Sequence, residues 1–445
     1  MTSYWCDHAW LGGDAATTGV LLRVEAGVFT EVLPGVPCPP DAVRLAGLTL
    51  PGMANAHSHA FHRALRGRTQ AGVGSFWTWR EQMYTAASRL DPDSYFRLAR
   101  AVYGEMALAG ITCVGEFHYL HHGPQGIPYS DPNEMSAVLA AAAADAGVRI
   151  TVLDTCYLQG GLGVPLNDVQ RRFSDGDAHA WGTRAAAALS LASTTVKVGA
   201  AIHSVRAVPP AAMHVAAEWA AAYAVPLHAH VSEQSAENEQ CIDSYGLTPT
   251  GLLSECGALR DDFTAVHATH LAVSDIELYG SSRSTICLCP TTERDLADGI
   301  GPARQLRDAG AFLAVGTDSH AMIDLFEEAR AIELDERLAT QVRGQHDAPS
   351  LLRAATEQGY RSLGWAGGGL LAVGAVADFV SLRLDSVRTA GSSPRTSLDT
   401  AVFAAAASDV HHVVMNGEVV VADGRHLHLD VAAELHRAIT ELMES

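Results

Sequence analysis

Short apolar runs rich in β-branched residues recur along this chain, each followed by a longer stretch of helical character, and few folds accommodate that order. The strand candidates are residues 48–56, 111–117, 149–155, 196–203, 225–231, 263–267, 284–288 and 311–316. Between them lie amphipathic or alanine-rich segments such as 91–109, 134–146, 210–224 and 302–309. Pro209 and Pro210 suit a helix start, and Gly110, Gly147 and Gly310 suit C-terminal caps before the next strand. Eight such strands predict an α/β fold, a (β/α)8 TIM-type barrel, although a doubly wound sheet produces a similar alternation. The two ends read differently, as short strands with Gly and Pro turns. Asn416-Gly417, flanked by valines, is a hairpin turn. Neither end suffices for a core of its own, so both are expected to join in one small β-sandwich. The predicted division is 1–50 and 371–445 for that sandwich and a C-terminal helix, and 51–370 for the barrel.

The formal net charge of −20 opposes nucleic acid and anionic membrane as partners, and a small anionic substrate would need a local arginine cluster. The start MTSYWCDHAW has no basic segment followed by an apolar run, and the eight cysteines have no regular spacing. Both observations predict a cytoplasmic protein with reduced thiols. A homodimer is the expected assembly. Cys287 and Cys289 form a C-x-C pair that reads as buried strand residues before it reads as a zinc site, since no second pair accompanies it.

In a (β/α)8 barrel the chemistry sits where strands end and loops begin. The first barrel strand ends in His57-Ser58-His59, and side chains two apart on a strand face the same way, so two imidazoles can share a cation. The fifth runs through His228 and His230 to Glu233. His230 is nearer the open end and is the candidate third ligand, His228 a deeper packed residue, and Glu233 a proton shuttle for a metal-activated water. The sixth strand ends at His267 and the eighth reaches Asp318. The single lysine, Lys197, begins the fourth strand about 20 Å from the mouth and cannot bridge two metals there, so one divalent ion is expected. Arg80 and Arg206 suit planar carboxylates, Arg206 from a position just beyond the fourth strand, and together they predict a cationic cluster that an anion would complete.

The tracts PGMANAHSHAFHRALRG, HAHVSEQ, VHATH, GTDSH and GAVADFVSL resemble the amidohydrolase superfamily over nearly the whole chain. Within it, Gly74-Ser75-Phe76-Trp77-Thr78-Trp79-Arg80-Glu81, Glu116-Phe117-His118-Tyr119 and His203-Ser204-Val205-Arg206 are similar to the formimidoylglutamate deiminases. These enzymes of histidine degradation convert N-formimidoyl-L-glutamate and water to N-formyl-L-glutamate and ammonia. The resemblance implies zinc ligation by His57, His59, His230 and Asp318, and proton handling by Glu233 and His267 with Asp318 accepting a hydrogen bond from the nucleophile. It further implies substrate carboxylates held by Arg80, Tyr119, His203 and Arg206. His62 stands where the family pattern has glutamine and can still donate a hydrogen bond to substrate. Two other readings are a zinc aminohydrolase of an aromatic base, such as guanine or an adenosine derivative, and a non-catalytic interaction module built on the same fold.

Overall fold

The computed structural model describes residues 2–70 and 76–444. Gly74 and Ser75 of the tract before Arg80 lie outside the described residues. The chain opens with β1 (Thr2–Ala9), β2 (Thr17–Glu25), β3 (Val28–Leu33) and β4 (Val43–Pro51). Next come β5 (Met53–Ser58), β6 (Ile111–His118), β7 (Arg149–Cys156), β8 (Val196–Ile202), β9 (Leu227–Val231), β10 (Phe263–His267), β11 (Thr285–Leu288) and β12 (Phe312–Val315). These eight pair in sequence order, all parallel, with helices between them. The edges of the barrel meet through a parallel bridge between Ser58 and Asp318. The His57 carbonyl accepts from Thr317 N at 3.1 Å and Asp318 N at 3.0 Å, and the side chains of Asn55 and Thr317 bond at 2.7 Å below it. No described helix is long and apolar enough to cross a membrane.

The expected helices form over Pro92–Leu108, Glu134–Asp145, Pro210–Tyr223 and Ala303–Ala309. The first starts in a reciprocal cap between Asp91 and Ser94, with Pro92 at the position where a missing N–H costs nothing.

The last strands, β13 (Phe379–Leu382), β14 (Val410–Met415), β15 (Glu418–Ala422) and β16 (Arg425–His426), join the first four in a second eight-stranded sheet, ordered β16-β15-β14-β13-β4-β1-β2-β3. The two chain ends meet where β13 pairs antiparallel with β4, Leu382 opposite Leu48. This sheet has its own apolar cluster around Tyr4, Leu22, Phe29 and Phe379. Asn416 and Gly417 both take positive φ, as the hairpin turn requires. The C-terminal helix, Val431–Glu444, lies against Pro92–Leu108, with Arg100 bonded to Glu434.

The sequence run 48–56 reads as one strand, but it is two that serve different sheets. The break is Gly52, whose N–H turns to the Asp378 carbonyl at 2.8 Å. A Cβ there would lie 2.1 Å from Thr112 Oγ1, so the crossing from one sheet to the other has room only for glycine. Asp378 anchors this junction. Its buried carboxylate receives Arg149 through Nε at 2.7 Å and Nη2 at 3.1 Å, the Tyr360 hydroxyl at 2.7 Å and Asn416 N at 2.7 Å. Arg149 begins a barrel strand and Asn416 belongs to a hairpin of the other sheet, so one carboxylate ties the two together. Removing it strands a buried guanidinium, which costs about 3–5 kcal/mol. Asp378→Ala should therefore lower the denaturant midpoint markedly at unchanged slope; a loss under about 1 kcal/mol would show that the junction is held by other contacts.

Candidate metal centre and its cavity

The C-terminal ends of the barrel strands depart from relaxed geometry. Ser232, His267, Ala268, Asp318 and His320 all have positive φ without being glycine. Each such residue costs on the order of 1–3 kcal/mol, and residues of this kind collect where side chains must be aimed at a site.

His57, His59, His230 and Asp318 are buried and their ligand atoms converge. His57 Nε2 lies 3.1 Å from His230 Nε2 and 3.2 Å from Asp318 Oδ1. His59 Nε2 lies 3.4 Å from each of the same two atoms. His59 Nδ1 donates to the Phe117 carbonyl at 2.9 Å, and His230 Nδ1 to the His203 carbonyl at 2.8 Å. A carbonyl can only accept, so each ring carries its proton on Nδ1 and turns a bare Nε2 lone pair inward. Burial and the neighbouring imidazoles hold His57, His59 and His230 well below the usual histidine range, keeping them neutral. Lone pairs and a carboxylate crowded together repel unless a cation lies among them. Bonds of about 2.0–2.2 Å to a zinc ion place neighbouring donors about 3 Å apart, and this set could hold such an ion. His228 is the deeper residue, bonded through Nε2 to the Ser362 carbonyl at 2.9 Å. Lys197 is bonded to the Gly364 carbonyl and lies over the Trp365 ring, away from this cluster.

A cavity of about 550 Å³ opens over the cluster. His59, His62, Arg80, Tyr119, His203, Arg206, His230, Glu233, His267 and Asp318 all line it, while His57 lies behind them. Glu233 and His267 lie beside this cluster: His267 Nε2 is 3.8 Å from Glu233 Oε1 and 3.8 Å from Asp318 Oδ2. Although burial opposes a charge on His267, the carboxylates of Glu233, Asp318 and Glu293 push it well above the ordinary range. His62 follows His59 by one tight turn, its N–H bonded to the His59 carbonyl at 2.9 Å. Its ring centroid lies 4.4 Å from that of His59, and its Nε2 bonds the Tyr119 hydroxyl at 2.9 Å. Burial keeps Tyr119 protonated and His62 neutral, so the pair holds two donor hydrogens and uses one between its members. The other faces an Nδ1 position without a hydrogen-bond partner, or the hydroxyl's 3.7 Å contact with Met83 sulfur.

The expectation of a cationic cluster awaiting an anion needs correcting. Arg206 donates to Glu233 Oε2 at 3.0 Å and lies 3.3 Å from Glu237 Oε2, so two acids already neutralise it. Glu237 follows Glu233 by four residues, in the first turn of the helix Ser235–Tyr245, and no sequence motif marked it. Asp298, pushed up to about 8 by burial and by Glu233, adds another acid nearby. Arg80 faces the cavity from the helix Phe76–Arg89, over the Tyr84 ring at 5.6 Å. Trp79, from the tract that carries Arg80, supplies an aromatic wall together with Tyr157 and Phe173, which no sequence motif marked. Cys287 and Cys289 pack with Ala56, Val266 and Ala314 inside the barrel, in keeping with buried strand residues.

Known proteins bear on this geometry. The chain is 36% identical over 412 residues to formimidoylglutamate deiminase of Pseudomonas aeruginosa, covering 90% of each chain. It is 29% identical over 434 residues to 8-oxoguanine deaminase of the same organism, covering 94% of this chain and 93% of that one. A crystal structure of an amidohydrolase from Brucella melitensis superposes with a TM-score of 0.92 at 32% identity, covering both chains completely. The amidohydrolase family model matches residues 48–420, from within β4 to within β15. With that match spanning the strand ends that carry the histidines and Asp318, the chain belongs to the amidohydrolase family.

Proposed function

We propose that this chain is a hydrolytic deiminase that converts N-formimidoyl-L-glutamate and water to N-formyl-L-glutamate and ammonia, using one divalent ion, zinc, per chain. The observation that carries the proposal is the shared cavity. Two guanidinium groups, Arg80 and Arg206, and the donors Tyr119 and His203 line the same space as the metal ligands, at 36% identity to a formimidoylglutamate deiminase. His57, His59, His230 and Asp318 would hold the divalent ion, which would supply a nucleophile at neutral pH by lowering the pKa of water from about 15.7 to about 7. Glu233 takes a proton from the attacking water as its oxygen bonds to the formimidoyl carbon. It then delivers that proton to the terminal nitrogen, making it an amino group; the remaining hydroxyl proton follows it to the same nitrogen as the C–N bond breaks, so ammonia leaves and the formyl carbonyl forms. His267 Nε2, between Glu233 and Asp318, hydrogen-bonds the developing charge. Arg206 holds Glu233 in place through one nitrogen. Arg80, Tyr119 and His203, with the free donor of the His62–Tyr119 pair, hold the glutamate carboxylates.

The purified chain should carry one equivalent of metal, and His57→Ala should lose it; two tightly held equivalents, both needed for turnover, would refute the single-ion site. Ammonia release should be efficient with N-formimidoyl-L-glutamate. Efficient turnover of 8-oxoguanine or an adenosine derivative, with formimidoylglutamate ignored, would overturn the substrate assignment.

Glu233→Gln should lower kcat by roughly 10²–10⁴-fold at unchanged metal content, and a loss below about tenfold would place the proton transfer elsewhere. Arg80→Met should cut kcat/KM at least about thirtyfold, since a charged hydrogen bond in a desolvated site is worth about 2–5 kcal/mol. Arg206→Met is the less clean test, because it also releases Glu233. A loss under about threefold for Arg80→Met would remove Arg80 from substrate binding.

A further inference from the structure

We propose that Glu293 is a positioning residue: its carboxylate, fixed to the backbone at the end of β11, accepts the Nδ1 hydrogen of His267 and turns the Nε2 edge of that ring toward Glu233 and Asp318. The proposal rests on the reading of His267 as the group that hydrogen-bonds the developing charge.

His267 ends β10 with φ of 69°, and Ala268 follows with φ of 52°, so the backbone bends sharply where the ring enters the site. Nothing in that bend chooses between the ring's two faces. A half-turn about the last side-chain bond would exchange Nδ1 for carbon and swing the proton-bearing edge away. Glu293 makes the choice. Its Oε1 lies 3.3 Å from His267 Nδ1 and also accepts the Cys289 N–H at 2.8 Å. Cys289 immediately follows β11, and Glu293 lies in the short helix Pro290–Asp295 that begins there, so the oxygen is located by rigid backbone on two sides. With Nδ1 engaged, Nε2 stands 3.8 Å from Glu233 Oε1 and 3.8 Å from Asp318 Oδ2.

Burying a carboxylate is unfavourable unless it is hydrogen-bonded and paired. Glu293 is buried, and among the described residues its ion-pair partner is His267. The ligand atoms of His267, Cys289 and Glu293 lie within 4.8 Å of one another, which admits a second metal as the rival reading. Against it, the histidine nitrogen and the carboxylate oxygen already satisfy each other. Burial and the Cys287 thiol also push the Cys289 thiol well up, leaving it protonated.

The experiment compares Glu293→Ala, Glu293→Gln, His267→Asn and the Ala/Asn double variant in the metal-loaded full chain. Glu293→Ala should lower kcat about 100-fold, with KM within about threefold and metal content unchanged. Glu293→Gln, whose amide oxygen can still accept both hydrogens, should stay within about tenfold of the parent. In the His267→Asn background, Glu293→Ala should cause less than about a twofold further loss, because it acts through a ring that is gone. In proton NMR the low-field imidazole N–H resonance that disappears in His267→Asn should also disappear in Glu293→Ala and persist in Glu293→Gln. Additive losses in the double variant, loss of a metal equivalent on replacing Glu293, or persistence of that resonance in Glu293→Ala would each overturn the proposal. The NMR arm needs no substrate, so failure to turn over formimidoylglutamate would sink the substrate assignment while leaving this one decided.

Discussion

The closure of the barrel between β5 and β12 is the contact on which the candidate site depends. His57 and Asp318 are far apart in the chain, and a metal site needs their ligand atoms about 3 Å apart. The join is a backbone one: the His57 carbonyl takes both the Thr317 and Asp318 N–H groups, and Ser58 bridges to Asp318. Gly316 makes this possible, since a Cβ there would lie 2.8 Å from His57 Cβ. Any side chain at that position would push apart the two strand ends that carry His57 and Asp318.

Around that closure the protein gathers more buried charge than a core ordinarily holds. Arg206 answers Glu233 and Glu237; His267 answers Glu233, Glu293 and Asp318. Ion pairs in a low-dielectric interior rarely add much stability over apolar packing, but removing one partner is costly. Their use here is orientational. Each pairing constrains a group that must meet a small polar substrate at a set angle, and the left-handed residues at the strand ends add strain in the same region. Asp378 plays the corresponding part away from the site, holding the second sheet against the bottom of the barrel through Arg149.

The expected strands after the first formed within a residue or two of their predicted bounds, because each is a short apolar run bounded by Gly, Pro or a cap. The run 48–56 was misread as one strand because periodicity cannot reveal that a continuous apolar segment changes sheets. Only the close approach of Thr112 and Asp378 shows why Gly52 is the turning point. The H-x-H pair, His230, Glu233, His267 and Asp318 were legible individually, since ligand-type residues at strand ends stand out once a barrel is assumed.

What the sequence alone determined was the order of strands and helices and the residue types at each strand end, both local properties of a chain read in small windows. What only the tertiary structure decided was partnership. Arg206 looked like a free cation for substrate and is bound to Glu233 and Glu237. His62 looked like a single substitution and is one half of a hydrogen-bonded pair with Tyr119. Glu293, which no motif marked, stands against His267. Hydrogen bonds and ion pairs reach only a few ångströms, and the groups they join here come largely from the segments that follow different strands of the barrel. Which donor finds which acceptor is therefore set by the closure of the sheet, a property of the whole chain that no local window contains.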